Sequence, residues 1–305
     1  MKTGFFLPNL GPAATPDNLV HVARQAEDLG LNSVWVTDRL LMPTKPSVPF
    51  RGSPDGVYPD AYRSSLDPLA TLAFVAASTS RITLGTSILN INYHNPFVIG
   101  RTLTTIDVIS RGRLSLGVGI GWHPDEFTAA GVAMRTRGRR ADEFLRALQA
   151  IWTHNPVSFD GEFFQLPESS ILPKPVQHPH PPLLLAVNSD AALHRAVRLD
   201  CGIHPANPSA TELADLTHRY RQLLKDIGRD PSSAQIVVRA EFRVTAEPIT
   251  GDRPVFHGSL DQVTADIDGM RAGGATEIIF DPTYFVDSVE EFTEHIKFFA
   301  DQNDT

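Results

Sequence analysis

Short apolar runs alternate with amphipathic helical patterns along the whole chain. The runs are rich in Val, Ile, Leu and Phe without strict alternation, which is typical of strands buried on both faces. Between them, apolar residues recur at i, i+3, i+4 and i+7, so that one stripe of each helix can cover a sheet. The predicted strands span residues 3–8, 33–37, 82–89, 114–120, 183–187, 202–205, 235–244 and 276–281.

Each predicted strand is followed by a predicted helix, and this alternation favours an α/β fold, a (β/α)8 TIM barrel, over the open doubly wound sheet. With no internal repeat, residues 1–305 are expected to form a single domain. Helix starts carry their own signals, because a serine followed three residues later by Glu or Gln predicts a capping box. Such pairs are Ser209 with Glu212, Ser259 with Gln262 and Ser288 with Glu291, and Thr15 before Pro16 predicts another N-cap.

Two insertions interrupt the alternation. Residues 40–65, rich in proline, glycine and aromatic residues, follow the second predicted strand and therefore emerge at the face where barrel active sites are built. We expect this segment to form a lid or a substrate wall, since loops of this length are functional or disordered. Before the fifth predicted strand, residues 155–182 contain a hairpin signal of the two-residue type at Asp160–Gly161, followed by a stiff, proline-rich connector.

Composition narrows the class of protein. With 42% hydrophobic and 20% charged residues the chain is an ordinary globular protein, and its net charge of −8 argues against nucleic acid as a partner. The single Cys201 excludes an internal disulfide, suits a reducing compartment and is expected in the core. The apolar run before Pro8 is too short for a signal peptide, and no run reaches the roughly 18–20 residues of a membrane span, so we expect a cytoplasmic protein.

The stretch "LSLGVGIGWH" follows an apolar strand with glycines at 117, 119 and 121. It is not the dinucleotide fingerprint G-x-G-x-x-G, because the third glycine comes one residue early. One interpretation is that the glycines clear space at the barrel mouth for a large planar ring. The other is a bulge that bends the strand without any ligand.

Five stretches of the chain resemble the bacterial luciferase-like monooxygenase family, and within it the F420-dependent oxidoreductases of actinobacterial type. The resemblance covers nearly the whole chain in order, and residues 110–153 are its most specific part. The stretches are "FFLPNLGP", "AEDLGLNSVWVTDRLLMP", "ITLGTSIL", "SRGRLSLGVGIGWHPDEFTAAG" and "PKPVQHPHPPLLLAVNSDAALHRA".

The resemblance implies a (β/α)8 barrel that carries a flavin or deazaflavin, usually as a homodimer. It also implies a bulge at the end of the third strand, often with a non-proline cis peptide, here Ser87–Ile88, that presses on the central face of the ring. Asn188 and Ser189 open a helix whose free amides suit a phosphate. The cofactor-binding residues implied by position are Asp38, Ser87, Ile88, Gly119, Ile120, Gly121, Trp122, Asn188 and Ser189.

The resemblance favours coenzyme F420 over FMN. Apolar Ile120 stands where FMN-using relatives can carry an arginine, and "GIGW" resembles the F420 users. The phosphodiester and glutamate tail of F420 needs cations near the rim, and the candidates are Lys174, Arg195 and Arg198.

Several positions depart from the family pattern. Many relatives have Asp-His where this chain has Asp38–Arg39, and a guanidinium cannot act as a general acid or base, although it can clamp an anionic substrate. Relatives usually show paired glycines where this chain has Ala186–Val187, and often Asp-Gly-Trp where it has Cys201–Gly202–Ile203. The candidate catalytic residues are Asp38, Arg39, His123 and Glu126, with Asp125 and His204 as further candidates for proton transfer, and we expect no metal site.

The leading hypothesis is therefore an F420-dependent oxidoreductase that transfers a hydride between the deazaflavin and a small, apolar organic substrate. The first alternative is an FMN-dependent monooxygenase that uses oxygen and reduced flavin supplied by a partner reductase. The second is a degenerate barrel that binds a flavin-like ligand without turnover. No nucleic acid or membrane is expected as a partner, and a homodimer is expected from the resemblance.

Overall fold

In a computed structural model, the chain is described at residues 1–50, 52, 55–286 and 288–300. Within this range the strands follow the order that the apolar runs predict. They are β1 (Lys2–Phe6), β2 (Ser33–Val36), β3 (Thr83–Asn90), β4 (Leu114–Gly119), β5 (Val157–Asp160), β6 (Gln165–Ser169), β7 (Leu183–Leu185), β8 (Gly202–Ile203), β9 (Val237–Glu241), β10 (Arg243–Val244), β11 (His257–Gly258) and β12 (Glu277–Asp281).

Helices separate the strands of the main sheet. Among the described residues, no helix combines the length and the apolar character needed to cross a membrane. The helices are α1 (Pro16–Asp28), α2 (Pro68–Ala76), α3 (Pro96–Ile109), α4 (Pro124–Ala129), α5 (Arg137–Thr153), α6 (Asp190–Arg198), α7 (Ala210–Asp226), α8 (Leu260–Ala272) and α9 (Val289–Ala300).

Eight of these strands form one parallel sheet in the order β8-β7-β4-β3-β2-β1-β12-β9. The two end strands, β8 and β9, meet through isolated parallel bridges, Ile203 with Ile236 and Ala206 with Arg239. The Arg239 amide donates to the Pro205 carbonyl at 2.9 Å across this seam. The sheet therefore curls into a barrel, which confirms the predicted TIM barrel, and the open doubly wound alternative is wrong.

The strands bury both faces, as their continuous apolar runs predict. A small cluster fills the inside of the barrel, and a much larger one lies between the strands and the helices. Cys201 is buried in that outer cluster, so its predicted place in the core is confirmed. The inner cluster consists of Phe6, Trp35, Leu184, Val237 and Ile279.

The predicted hairpin exists, but its turn is longer than the two residues expected. Asp160 pairs with Gln165, so residues 161–164 form the turn between β5 and β6. The Glu143 carboxylate of α5 accepts hydrogen bonds from the amides of residues 162, 163 and 164 at 2.9, 2.7 and 2.7 Å. These bonds satisfy amides that a tighter turn would not present to the helix, and they explain the extra residues.

The predicted helix starts are confirmed where the structure gives their caps. Ser209 and Ser259 each form a complete capping box with the residue three positions on. The Thr15 side chain accepts from the Asn18 amide, with Pro16 as the first helical residue. The Ser288 hydroxyl oxygen accepts from the Glu291 amide at 3.3 Å.

Candidate active site

A bulge interrupts β3 near its carboxyl end. The register between β3 and β4 shifts between Thr86 and Leu89, and the Ser87–Ile88 peptide is cis. Both features that the resemblance implies at this position are confirmed. Ser87 is fully buried, whereas Ile88 is half-buried.

The side chain of Ser87 is fixed by His204, which follows β8. His204 Nδ1 lies 2.6 Å from the Val237 carbonyl oxygen and must donate to it, so Nε2 accepts from the Ser87 hydroxyl at 2.8 Å. Burial lowers the pKa of His204 to about 4, so its ring is neutral at physiological pH. His204 therefore holds the bulge in place, and the proton transfer considered for it from the sequence stays a prediction.

The three glycines of β4 and its end give room to β3. A Cβ on Gly117 would lie 2.2 Å from the Thr86 carbonyl oxygen, and one on Gly119 would lie 1.7 Å from the Ile88 side chain. Gly121 has a φ of +74°, and its Cβ would lie 2.4 Å from the Asn90 side chain. Atoms of neighbouring residues occupy the space beside each glycine. β4 keeps a regular register with β7 through Gly117, so the bulge lies in β3 and not in the glycine-bearing strand. The expectation that the glycines clear space for a planar ring stays a prediction. Their contact with a cofactor stays a prediction.

Asp38 lies at the mouth, half-buried, just beyond β2. Its carboxylate accepts a hydrogen bond from the Asn90 amide at 2.9 Å, which ties the end of β2 to the bulged strand. Burial, together with the nearby Glu126 carboxylate, raises the pKa of Asp38 to about 6 against the lowering effect of the Asn90 hydrogen bond. This carboxyl group therefore changes its charge close to physiological pH.

Arg39 and Glu126 form a buried ion pair, with Arg39 Nη2 3.4 Å from Glu126 Oε1. The same carboxylate accepts from the Leu40 amide at 3.0 Å and from the Tyr93 hydroxyl at 2.8 Å. Both Glu126 oxygens thus have donors. The pair anchors the start of the 40–65 insertion to α4. The Arg39 guanidinium, considered from the sequence as a clamp for an anionic substrate, is thus already paired with a carboxylate of the protein.

Aromatic side chains from the 40–65 insertion lie across the mouth. Tyr62 sits 4.5 Å from the Arg39 guanidinium, and its ring is 5.4 Å from that of Tyr284, beyond β12. Tyr58 stacks on Trp122 with centroids 6.3 Å apart, and Phe50 contacts both Trp122 and Tyr284. The insertion therefore bridges the ends of β4 and β12, in the position expected of a lid or substrate wall.

His123 is fully buried and serves as the N-cap of α4, where its Nδ1 accepts from the Asp125 amide at 3.3 Å. Burial and the neighbouring Arg39 lower its pKa, so the ring is kept neutral. The Asp125 carboxylate accepts from the Ser47 amide at 2.9 Å, so it too is engaged with the insertion. A catalytic role for His123 stays a prediction, and the geometry gives it a structural one.

Asn188 and Ser189 are exposed at the start of α6, where Ser189 caps the helix by accepting from the Ala192 amide at 3.4 Å. The cations expected near them are occupied elsewhere. Lys174 donates to the carbonyls of Ile151 and His154 at the end of α5. Arg195 and Arg198 both pair with Asp142.

Sequence reasoning missed five polar residues at the mouth. Arg239 lies inside a predicted apolar strand, and this buried charge was a usable signal. The side-chain Oδ1 atoms of Asn90 and Asn92 are buried without a hydrogen-bond partner within the described part of the chain, just past the predicted end of a strand. Asp281 and Tyr284 join Arg239 through long-range contacts that no local pattern reveals.

Five half-buried residues from three neighbouring strand ends form what we call the mouth face: Asp38, Ile88, Ile120, Gly121 and Trp122. Within the described ranges, no three His, Cys, Asp or Glu side chains group so that they could hold a metal ion. The protein is thus a (β/α)8 barrel with a candidate ligand site at the carboxyl ends of its strands. The bulge, the mouth face and the aromatic side chains of the insertion make up this site.

The chain belongs to the luciferase-like monooxygenase family, whose model matches residues 1–248. It is 37% identical over 164 residues to an uncharacterised protein of Mycobacterium tuberculosis, covering 53% of this chain and 58% of that one. It is 36% identical over 166 residues to an F420-dependent glucose-6-phosphate dehydrogenase of Kineococcus radiotolerans, covering 53% of this chain and 44% of the relative. The matched segment thus spans about half the length of these relatives.

Among solved structures, the monooxygenase RslO1 from Streptomyces bottropensis superposes with a TM-score of 0.82. The alignment covers 99% of this chain and 98% of that one at 24% identity. At this identity the similarity shows the shared fold.

Proposed function

We propose that this protein is an F420-dependent oxidoreductase that transfers a hydride between the deazaflavin and a small organic substrate. The observation that carries the proposal is the mouth face, where half-buried Ile88, Ile120 and Trp122 offer apolar contact beside the β3 bulge. The named F420-dependent relative supports this cofactor. Its substrate is not carried over, because the match spans 44% of its length.

The residues present fit a tricyclic ring with an N–H edge. Apolar side chains of the mouth face suit the flat body of the ring. The buried Asn90 Oδ1, without a partner in the described chain, is an acceptor suited to a ring N–H. When bound, the deazaflavin supplies a carbon that gives or takes a hydride with both electrons.

Asp38 is proposed to hold the proton that accompanies the hydride. Its carboxyl belongs to the mouth face, is fixed by the Asn90 amide, and has a pKa raised to about 6. A group poised near physiological pH can both accept and release a proton. Arg39 and Glu126 are proposed to position the insertion that covers the mouth, because their charges satisfy each other.

Phosphate binding is proposed at Asn188 and Ser189. The first amides of a helix have no partner within the helix, and the helix dipole favours an anion there. Exposure of both residues leaves the position accessible to a ligand.

The test is titration of the purified protein with F420 and, separately, with FMN, followed by fluorescence. Micromolar binding of F420 with none of FMN supports the proposal. FMN binding alone would point to the flavin monooxygenase, which oxygen uptake with reduced flavin then identifies. Binding of neither cofactor overturns the proposal and favours the degenerate barrel.

A matched pair of variants locates the site. Ile88→Asp places a charge on the mouth face and should weaken F420 binding at least tenfold, because a carboxylate there is desolvated by the bound ring. Ile227→Asp, at an exposed position after α7, is the control and should bind F420 as the wild type does. Equal affinities for the two variants would remove the bulge from the binding site.

A further inference from the structure

A cavity of about 800 Å³ lies beside the mouth face, between the insertion and the ends of β9 and β12. Its wall on the insertion side is apolar and aromatic, and its opposite wall carries polar groups. No residue of either wall belongs to the mouth face proposed to contact the cofactor. The residues that matter here are Phe50, Tyr58, Asn207, Glu241, Tyr284 and Phe285.

Arg239 links this cavity to the bulge. Its Nη1 donates to the Ser87 carbonyl oxygen at 3.3 Å, and its Nη2 donates to the Tyr284 hydroxyl oxygen at 3.0 Å. The Nε donates to the fully buried Asp281 carboxylate at 3.0 Å. One rigid guanidinium therefore contacts both the strand end proposed to face the cofactor and the base of the cavity.

The charges around Arg239 disfavour an anionic ligand. Asp281 neutralises the guanidinium, and Glu241 lies 3.2 Å from it as a second carboxylate that lines the cavity. Asn207 donates to the other Glu241 oxygen at 2.9 Å, which keeps the carboxylate in place. Among the charged residues that line the cavity, the carboxylates of Asp55 and Glu241 outnumber the guanidinium of Arg243. A ligand carboxylate or phosphate would therefore meet net repulsion.

The two tyrosine hydroxyls leave one proton unused. Their oxygens are 2.8 Å apart and share one hydrogen bond, and the Tyr284 oxygen also accepts from Arg239. Tyr62 is almost fully buried, and its hydroxyl bonds to Tyr284 alone within the described residues. If Tyr62 accepted this bond, its own buried proton would have no acceptor, so we take Tyr62 as the donor. The hydroxyl proton of Tyr284, which lines the cavity, is then available to a ligand.

We propose that this cavity binds a neutral carbonyl compound with an apolar body, and that the Tyr284 hydroxyl donates a hydrogen bond to its carbonyl oxygen. Tyr284 is the specificity-determining donor, Arg239 and Tyr62 orient its hydroxyl, and Glu241 excludes anions. The assignment of this compound as the enzyme's substrate rests on the proposed function, whereas its binding does not.

The experiment measures binding of three matched probes to the cofactor-free protein by ligand-observed NMR titration. Acetophenone carries the carbonyl, α-methylstyrene has the same shape without an acceptor, and benzoate adds a negative charge. Acetophenone should bind roughly two- to tenfold more tightly than α-methylstyrene, the range of one hydrogen bond. Benzoate should bind most weakly.

Two conservative variants separate the donor from its neighbour. Tyr284→Phe should abolish the preference for acetophenone over α-methylstyrene. Tyr62→Phe keeps the ring and leaves the Tyr284 hydroxyl free, so it should retain the preference. Glu241→Gln should narrow the gap between benzoate and acetophenone, and thermal melting checks that each variant is folded.

Equal binding of all three probes, no binding, or a preference that survives in folded Tyr284→Phe overturns the proposal. Each of these outcomes is independent of the F420 titration, because the probes are measured without cofactor. Failure of F420 to bind alongside the expected probe preference would overturn the proposed function and leave this site standing.

Discussion

At the scale of single residues, the buried ends of the strands control the chemistry available at the mouth. Asp38 accepts from the Asn90 amide, His204 accepts from Ser87, and each is desolvated by the barrel around it. Burial shifts the two pKa values in opposite directions because the charged form is the carboxylate in one case and the imidazolium in the other. Of these two residues, Asp38 is therefore the one that titrates near physiological pH.

Asp38→Asn should stabilise the protein at neutral pH. The folded protein holds the Asp38 proton more tightly than the unfolded chain, so this contribution to stability is complete below about pH 4 and is lost as pH rises through 6. The variant does not undergo that loss, so its free energy of unfolding relative to the wild type should rise by about 2 kcal/mol between pH 4 and pH 7.

Urea denaturation of both proteins across this pH range measures the difference. A difference that stays constant with pH would contradict the raised pKa of Asp38. Asn also offers an oxygen to the Asn90 amide, so the variant keeps that hydrogen bond and tests the charge alone.

At the scale of elements, β3 and β4 are fitted to each other. The bulge brings the Thr86 carbonyl and the Ile88 side chain over β4, and Gly117 and Gly119 leave room for them. The two contacts differ in kind, since a main-chain carbonyl is fixed by the sheet whereas the end of an isoleucine side chain can rotate.

Gly117→Ala should therefore destabilise the fold more than Gly119→Ala. We expect a loss of about 3 kcal/mol in the free energy of unfolding at 117, and about 1 kcal/mol at 119, where Ile88 can move aside. Thermal and urea unfolding of the pair provide the measurement. Equal losses would show that β3 yields as readily as a side chain does.

Elements could be predicted from the sequence because their signals are local. Every barrel strand lies within or next to a predicted run, and the capping boxes at Ser209 and Ser259 depend on residues three apart. The predicted length of the hairpin turn was wrong because the turn is shaped by hydrogen bonds to Glu143 of a neighbouring helix. The Arg239 cluster was missed for the same reason, since its long-range partners come from β3 and from the end of β12.

At the scale of the whole molecule, two of the helices around the closed sheet expose large apolar side chains. Val98 and Ile109 of α3 are 65% and 51% exposed, and their spacing of three helical turns places them on one stripe. Phe74 of the adjoining α2 is exposed as well. We predict that the exposed apolar side chains of α3 lie in the interface of the homodimer that the family resemblance implies.

Light scattering of the purified protein should give twice the mass of one chain. Ile109→Glu should shift it toward the monomer, because the interface would then bury an unpaired charge. Ile227→Glu, at an exposed isoleucine after α7, is the control and should leave the mass unchanged. A monomeric wild type, or equal behaviour of the two variants, would contradict the dimer on this surface.

The pairing of β1 with both β2 and β12 has a consequence for how the chain is made. Lys2 is matched with Glu277, so β1 has its second neighbour only once the chain has been made as far as β12. Until β12 is made, β1 is an edge strand whose unpaired backbone groups can bond to other nascent chains. Contacts so distant in sequence also form slowly, which prolongs the time for which this strand edge is exposed.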